Sequence, residues 1–239
     1  MAPAGYGDRV EGIHAVDAAL EAGRVEKLYV EAGRRDSLAP LLSKARDVEV
    51  VTLDDVREVA ESRAPQGLVA RCRSILPVEL DSLATDDAAL LVLDHSEDPQ
   101  NVGAMARSAA AAGVTGMVMS SRRAAPLSAS VFKAAAGALE RLPVAIVGSI
   151  PEALSRLKDA GVWVVGLAAS ADRSLFGLDL LTEPVAVAVG AEGAGLARLT
   201  EERCDVVVSI PMADGVESLN ASVSGALAAF EIMRVRKTR

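Results

Sequence analysis

Three stretches of this sequence carry residue types that could do chemistry, and each follows an aliphatic run. The first is Asp94-His-Ser-Glu-Asp98-Pro99-Gln-Asn101-Val-Gly103-Ala-Met-Ala-Arg107-Ser108. Asn101 can donate and accept hydrogen bonds, Gly103 lets a backbone approach closely, and Arg107 offers a permanent cation. Asn101 and Arg107 stand six apart, so both could point towards one pocket; the plainer reading is an Asx turn and a surface arginine. His95 has no partner placed by the sequence and reads as incidental. The second stretch is Val189-Gly190-Ala191-Glu192-Gly193-Ala194-Gly195-Leu196. Glycines around one carboxylate expose backbone amides to a ligand, or make a tight strand-to-helix turn. The order is neither the dinucleotide fingerprint nor a P-loop, and no lysine is present to hold a phosphate. A mere turn leaves Glu192 unexplained. The third runs Ile210-Pro211-Met212-Ala-Asp214-Gly215-Val-Glu217-Ser218-Leu219-Asn220-Ala-Ser222. Ser218 suits a helix N-cap, whereas Asn220 in a first turn gains little from propensity, which points to a side-chain role. No Ser/His/Asp order, zinc spacing or carboxylate pair appears elsewhere. The residues by themselves give a glycine-lined ligand site with an Asn/Arg/Glu/Ser/Asn polar set.

Strands must deliver these loops. Aliphatic segments predict strands at 89–93, 116–119, 144–147, 162–167, 185–189 and 206–210, near-continuous enough for parallel strands buried on both faces. Helical patterns fall between them at 102–112, 130–138 and 151–160, and a last helix at 219–236. In open α/β sheets ligands bind at the carboxyl ends of strands, where all three loops lie. Leu219, Val223, Leu227, Phe230 and Met233 recur at helical spacing and predict a buried face on the last helix. Residues 78–87 read as a linker between a domain at 1–77 and one at 88–239. The first domain predicts helices at 13–22, stopped by Gly23, at 37–46, and at 54–62 capped by Asp54. Its strands fall at 27–30, 48–52 and 68–73, in a mixed or parallel sheet.

Composition narrows the class. Of 239 residues 51% are hydrophobic, which excludes a disordered chain, and only 3% are aromatic, so the core is built from small aliphatics. Cys72 and Cys204 stand apart without metal-ligand spacing and read as reduced thiols in a cytoplasmic protein. No secretory signal opens the sequence, and no uncharged stretch is long enough to span a bilayer. Residues 1–77 hold 11 Lys/Arg against 13 Asp/Glu and residues 78–239 hold 14 against 20, for a net charge of −8. Composition alone therefore favours a small-molecule enzyme over a nucleic-acid binder.

Order and motif say otherwise. The series D-P-Q-N-V-G-A-x-x-R-S-A, G-A-E-G-A-G-L and I-P-M-x-x-G-V-E-S-L-N-A-S-V resembles the signature of the SpoU/TrmH family of RNA ribose 2′-O-methyltransferases, within the SPOUT superfamily of trefoil-knotted enzymes. Phe132-Lys-Ala-Ala-Ala-Gly137-Ala-Leu-Glu140-Arg-Leu-Pro143 adds a fourth match. Val10-Glu-Gly12-Ile-His14-Ala-Val and Ala64-Pro65-Gln66-Gly67-Leu-Val-Ala resemble the family's substrate-binding domain, which is similar to small ribosomal proteins. The resemblance implies an α/β chain: a C-terminal SPOUT trefoil-knot methyltransferase domain preceded by a small α/β RNA-binding domain.

It also implies roles. S-adenosyl-L-methionine would be held by Gly190, Ala191, Glu192, Gly193, Ile210, Met212, Ser218 and Leu219. Asn101, Arg107, Glu192, Ser218 and Asn220 would form the catalytic set around the ribose and its phosphate, with no metal. The family proposal makes the arginine, assisted by the substrate phosphate, the base; a guanidinium normally stays protonated, so Arg107 could instead clamp that phosphate. The implied partners are large-subunit ribosomal RNA, methylated at a guanosine, and a second copy of the chain. Transfer RNA and resistance-type ribosomal RNA methylation are the alternative targets, and a non-catalytic ribosome-assembly protein is the alternative class. Arg34, Arg35, Arg122, Arg123, Arg234, Arg236, Lys237 and Arg239 are the basic groups expected to serve RNA. Removing residues 1–77 is expected to abolish site-specific methylation and spare cofactor binding.

Overall fold

A computed structural model describes residues 5–62 and 64–238, so Arg239 lies outside the described residues. The chain divides into two units, one running to Pro77 and including Pro126–Arg141, the other comprising Val78–Ala125 and the chain from Leu142 onwards.

The first unit holds β1 (Arg9–Glu11), α1 (Ile13–Glu21), β2 (Val25–Glu31), α2 (Ala39–Leu42), β3 (Val48–Val51), α3 (Leu53–Val59) and β4 (Leu68–Cys72). Its sheet has the order β1-β4-β2-β3 and is mixed: β2 and β3 run parallel, while β4 is antiparallel to both β1 and β2. β1 is three residues long, too short for any periodicity to mark it. The helix expected at 37–46 contracts to α2 because Pro40 is tolerated only in a first turn. Thr52, rather than Asp54, caps α3: its hydroxyl accepts from the Asp55 amide at 3.2 Å while the Asp55 carboxylate accepts from the Thr52 amide at 3.0 Å.

The second unit opens with β5 (Ala89–Leu93), α4 (Pro99–Ala112) and β6 (Gly116–Ser120). Next in the chain comes α5 (Ala129–Ala135), which belongs to the first unit. The second unit then continues as β7 (Val144–Val147), α6 (Ile150–Asp159), β8 (Trp163–Leu167), β9 (Val185–Val189), α7 (Arg198–Glu201), β10 (Val206–Val208) and α8 (Ala221–Lys237). Its six strands run β10-β8-β9-β5-β6-β7, all parallel, so every carboxyl end shares one edge. Every residue of β5, β6 and β9 is buried, as their unbroken aliphatic character requires.

In the first unit, Phe132 of α5 is wholly buried, its ring centroid 6.2 Å from that of Tyr6. Glu140 forms a two-point ion pair with Arg24, at 2.7 Å to Nε and 2.5 Å to Nη2. The same guanidinium donates to the carbonyls of Gly7 (2.9 Å) and Arg73. Residues 126–141 are thus part of the first unit's core.

The last helix corrects an expectation. α8 buries the small-residue face carrying Ala221, Gly225, Ala228, Ala229 and Ile232, and packs closely on α4. A Cβ at Gly225 would stand 2.9 Å from the Met105 sulfur, so any side chain there would have to push Met105 aside. The stripe expected to be buried is turned outwards instead: Val223 is 46% and Phe230 43% exposed, and Leu227 and Met233 are half-buried. Small residues win the interior because they bring two helices closer than leucine or phenylalanine could. No helix among the described residues is long and apolar enough to cross a membrane.

Candidate active site

Val189 ends the buried strand β9, and the chain enters the glycine loop at once. Gly190 has no room for a side chain: a Cβ there would fall 2.0 Å from the Gly195 carbonyl carbon and 2.3 Å from the Leu196 nitrogen. The loop closes on itself, with Ala191 N–H donating to Gly195 O at 3.0 Å and Gly195 N–H to Ala191 O at 2.9 Å. Glu192 stands at its exposed tip.

A cavity of about 440 Å³ opens beside this loop, walled by the end of β8, residues 190–196, the chain from Ile210 to Leu219 and the first turn of α8. Gly190 through Gly193, Ile210, Met212, Ser218 and Leu219 all line it. The cavity also takes in Leu167 to Ser170 and Glu201, which the loop motifs did not flag. The position of residues 167–170 at the carboxyl end of a parallel strand was the signal that could have found them. Glu192, Glu201 and Glu217 line the wall, and among the described residues no lysine, arginine or histidine does. The charged lining is therefore wholly acidic. Asp214 is exposed and lies outside the lining.

At the loop tip three of the predicted polar residues meet. Glu192 Oε2 accepts from Asn101 Nδ2 at 3.0 Å and from Asn220 Nδ2 at 3.2 Å. Asn101 is buried in the first turn of α4, whose start is fixed by Pro99 and by Asp98 Oδ1 accepting from the Gln100 amide at 2.9 Å. Asn220, rather than Ser218, caps α8: its Oδ1 accepts from the Ser222 amide at 2.9 Å and the Ser222 hydroxyl at 2.6 Å. Helix α8 accordingly starts two residues later than the periodicity suggests, and Ser218 is left exposed on the cavity wall. Arg107 is not brought to this cluster. Six helical residues place it about 120° around α4 from Asn101, and it is exposed where Asn101 is buried.

Other groups expected to act are occupied. Arg236 donates to the carbonyls of Leu181 (3.1 Å), Asp87 (2.8 Å), Ala88 (2.7 Å) and Glu183 (2.7 Å), and its burial pulls its pKa down. Arg234 is held by Glu231 through two contacts of 2.7 Å. Arg236 is spent inside the fold and is withdrawn from the set expected to serve RNA, whereas Arg234, though paired with Glu231, is exposed, as are Arg35, Arg122, Arg123 and Lys237. Cys204 lies against Gly166 and Leu196, and burial pushes its thiol up to about 12, which rules it out as a nucleophile. Among the described residues no group of three His, Cys, Asp or Glu is placed to hold a metal.

Comparison with known proteins matches the SpoU rRNA Methylase family over residues 88–230 and an RNA 2′-O ribose methyltransferase substrate-binding family over residues 9–77. The 23S rRNA (guanosine-2′-O-)-methyltransferase RlmB of Shewanella oneidensis is 41% identical, the match covering 97% of this chain and 98% of that protein. Its Yersinia pestis counterpart is 40% identical, over 95% of this chain and 97% of the relative. Among solved structures, the SpoU methyltransferase AviRb from Streptomyces viridochromogenes, in complex with the cofactor AdoMet, superposes with a TM-score of 0.82 at 28% identity, covering 96% of this chain and 90% of that one.

Proposed function

Because the chain belongs to the SpoU rRNA methylase family, we propose that it moves a methyl group from S-adenosyl-L-methionine to the ribose 2′-oxygen of a guanosine in large-subunit ribosomal RNA. The observation that carries this reading is the convergence of two successive loops, at 190–196 and 210–219, on one cavity whose charged lining among the described residues is entirely acidic. A cofactor bearing a sulfonium and an ammonium suits such a wall, and a nucleoside polyphosphate does not. The clenched backbone at Gly190 fits as well, since the wall there is main chain with no side chain intervening.

Bound in the cavity, S-adenosylmethionine supplies a methyl group already activated by its sulfonium. The protein's task is alignment and the care of one proton. Two amide donors fix Glu192 through Oε2, so that Oε1, which makes no hydrogen bond among the described residues, is offered to the ribose hydroxyl. Ser218 presents its hydroxyl from the cavity wall. Asn220 couples the cap of α8 to the loop tip, which sets the two cavity-lining segments in register. Arg107 acts from outside this cluster; exposed on α4, it is assigned to the substrate phosphate at the site of a second copy.

That second copy docks through the outward stripe of α8. Val223, Leu227, Phe230 and Met233 form an apolar face that a two-fold partner would cover. Residues 1–77 choose the RNA and 88–239 carry the trefoil-knotted methyltransferase, with 126–141 lent to the first unit's core; residues 78–87, expected as a linker, belong to the second unit, where Leu80 and Leu83 are buried in the core. The work is cytoplasmic, where ribosomal RNA is made and modified. Ribose-methylation mapping of ribosomal RNA from cells with and without the gene tests the reading. One large-subunit guanosine should lose its mark, and an unchanged map contradicts the assignment. Light scattering should give a dimer mass at micromolar concentration, and a monomer mass contradicts the docking face.

A further inference from the structure

The glycine loop is tied at both ends to one residue that none of the chemistry above uses. Asp94 follows β5 and has no exposed surface. Its backbone N–H donates to Val189 O at 2.9 Å, the last residue before the loop. Its carboxylate Oδ2 accepts from the Ala197 N–H at 2.8 Å, the first residue after the cavity-lining stretch and 103 positions away in sequence. Gly190 to Leu196, the span between those two anchors, is the part that lines the cavity.

Stability does not account for this arrangement. Asp94 Oδ1 lies 2.8 Å from His95 Nδ1 without hydrogen-bond alignment and has no hydrogen-bond partner among the described residues. A buried carboxylate that is only half satisfied costs a fold more than a fitted apolar group would. The next residue adds a second cost: His95 sits at φ 58°, in the left-handed region that side chains other than glycine rarely adopt. Two unfavourable features side by side, both at the carboxyl end of a central strand, fit a device that holds a site.

We propose that Asp94 is a positioning residue for cofactor binding, clamping the loop by fixing the span from Val189 to Ala197. His95, itself partly exposed, lies over Oδ1 of the buried carboxylate. Asp94 touches no reacting atom in this role, and no proton moves on it. The proposal rests on the reading of the cavity as the S-adenosylmethionine site.

The test uses the full-length chain and three variants. Asp94→Ala removes the clamp, and Asp94→Asn keeps an oxygen that can still accept from Ala197. Ala197→Pro deletes the donor at a backbone whose φ of −64° suits proline, and its ring Cδ displaces the Asp94 carboxylate from the loop. Amide hydrogen exchange is read first, without cofactor. Asp94→Ala and Ala197→Pro should speed exchange of the amides at 191–196 by about tenfold or more while β5 and β9 keep their protection. Calorimetry should then show S-adenosylmethionine bound about tenfold more weakly, with the KM for RNA little changed, and Asp94→Asn restoring most of the affinity. Loop amides that exchange as in the parent, protection lost equally throughout the sheet, or an unchanged cofactor Kd overturns the proposal. Should Asp94→Ala fail to fold, Ala197→Pro carries the same two outcomes. A parent chain that binds no S-adenosylmethionine sinks the cofactor reading, while the exchange data still judge the clamp.

Discussion

Asn220 has two jobs, and substitution can separate them. Its Oδ1 caps α8 through the Ser222 amide at 2.9 Å, and its Nδ2 donates to Glu192 at 3.2 Å. Losing an N-cap costs about 1 kcal/mol, within a range of roughly 0.5–2. The bond to Glu192 is exposed to water, so its loss adds under about 1 kcal/mol. Asn220→Ala should therefore destabilise by about 1–2 kcal/mol, which for a chain of this size lowers Tm by roughly 2–8 °C. Serine is as good a cap but too short to reach Glu192, so Asn220→Ser should stay within about 0.5 kcal/mol of the parent. In that variant Asn101 alone holds the Glu192 carboxylate, and misalignment at a reacting oxygen costs on the order of 10²-fold in rate. Thermal unfolding gives the first quantity, and initial rates of methyl transfer to a ribosomal RNA fragment at saturating cofactor give the second. Parental turnover by Asn220→Ser would show that the amide tether does nothing for the reaction. A Tm as low as that of Asn220→Ala would show that Asn220 is not the cap.

Arg24→Ala leaves Glu140 as an uncompensated buried charge and should cost about 3–5 kcal/mol, read as a lower urea midpoint; an unchanged midpoint would refute the ion pair's role. For the same reason deleting residues 1–77, expected from sequence to spare cofactor binding, should instead give an unstable product, because Phe132 and Glu140 lose the core they share with Tyr6 and Arg24; a truncated chain with parental cofactor affinity and Tm would contradict this. Burial pushes the Cys72 thiol from its ordinary 9.0 up to about 12, and likewise Cys204, while burial raises Tyr6 from 10.0 to about 12. These groups keep their protons in the native state after the unfolded chain has released them. Stability should be intact below pH 9 and fall between about pH 9 and 12, less steeply in Cys72→Ala, and a urea midpoint flat from pH 8 to 11 would be the contrary result. Arg122→Ala with Arg123→Ala should weaken RNA binding and flatten its salt dependence at unchanged Tm, whereas Arg236→Ala should lower Tm by removing the donor to four backbone carbonyls; the reverse pattern would overturn the sorting of these arginines.

The parallel sheet was legible because strands such as Val185–Val189 are buried on both faces, and such strands must be aliphatic throughout. The site loops were legible because they follow those strands directly. What failed was the direction of faces. Helical spacing marks an apolar stripe on α8 but not which neighbour covers it, and the interior went to the small-residue face that lets α4 approach. The membership of residues 126–141 in the first unit could not be read either, since the Arg24–Glu140 pair joins positions 116 apart. Asp94 was hidden by its neighbours: beside Asp98, Asn101 and Arg107 it looked like one more loop carboxylate, and only burial and the Ala197 bond set it apart. Net charge misled because it says nothing about where exposed arginines stand.

The central claim is a methyl group delivered to one kind of oxygen. Purified protein, S-adenosylmethionine carrying an isotopically labelled methyl group, and large-subunit ribosomal RNA lacking its native modifications are incubated together, and the RNA is digested to nucleosides for mass spectrometry. The account predicts label in 2′-O-methylguanosine alone, at close to one per RNA, and none with the Asn101→Ala variant. Label on a base, label spread over all four riboses, or no transfer at all would contradict it.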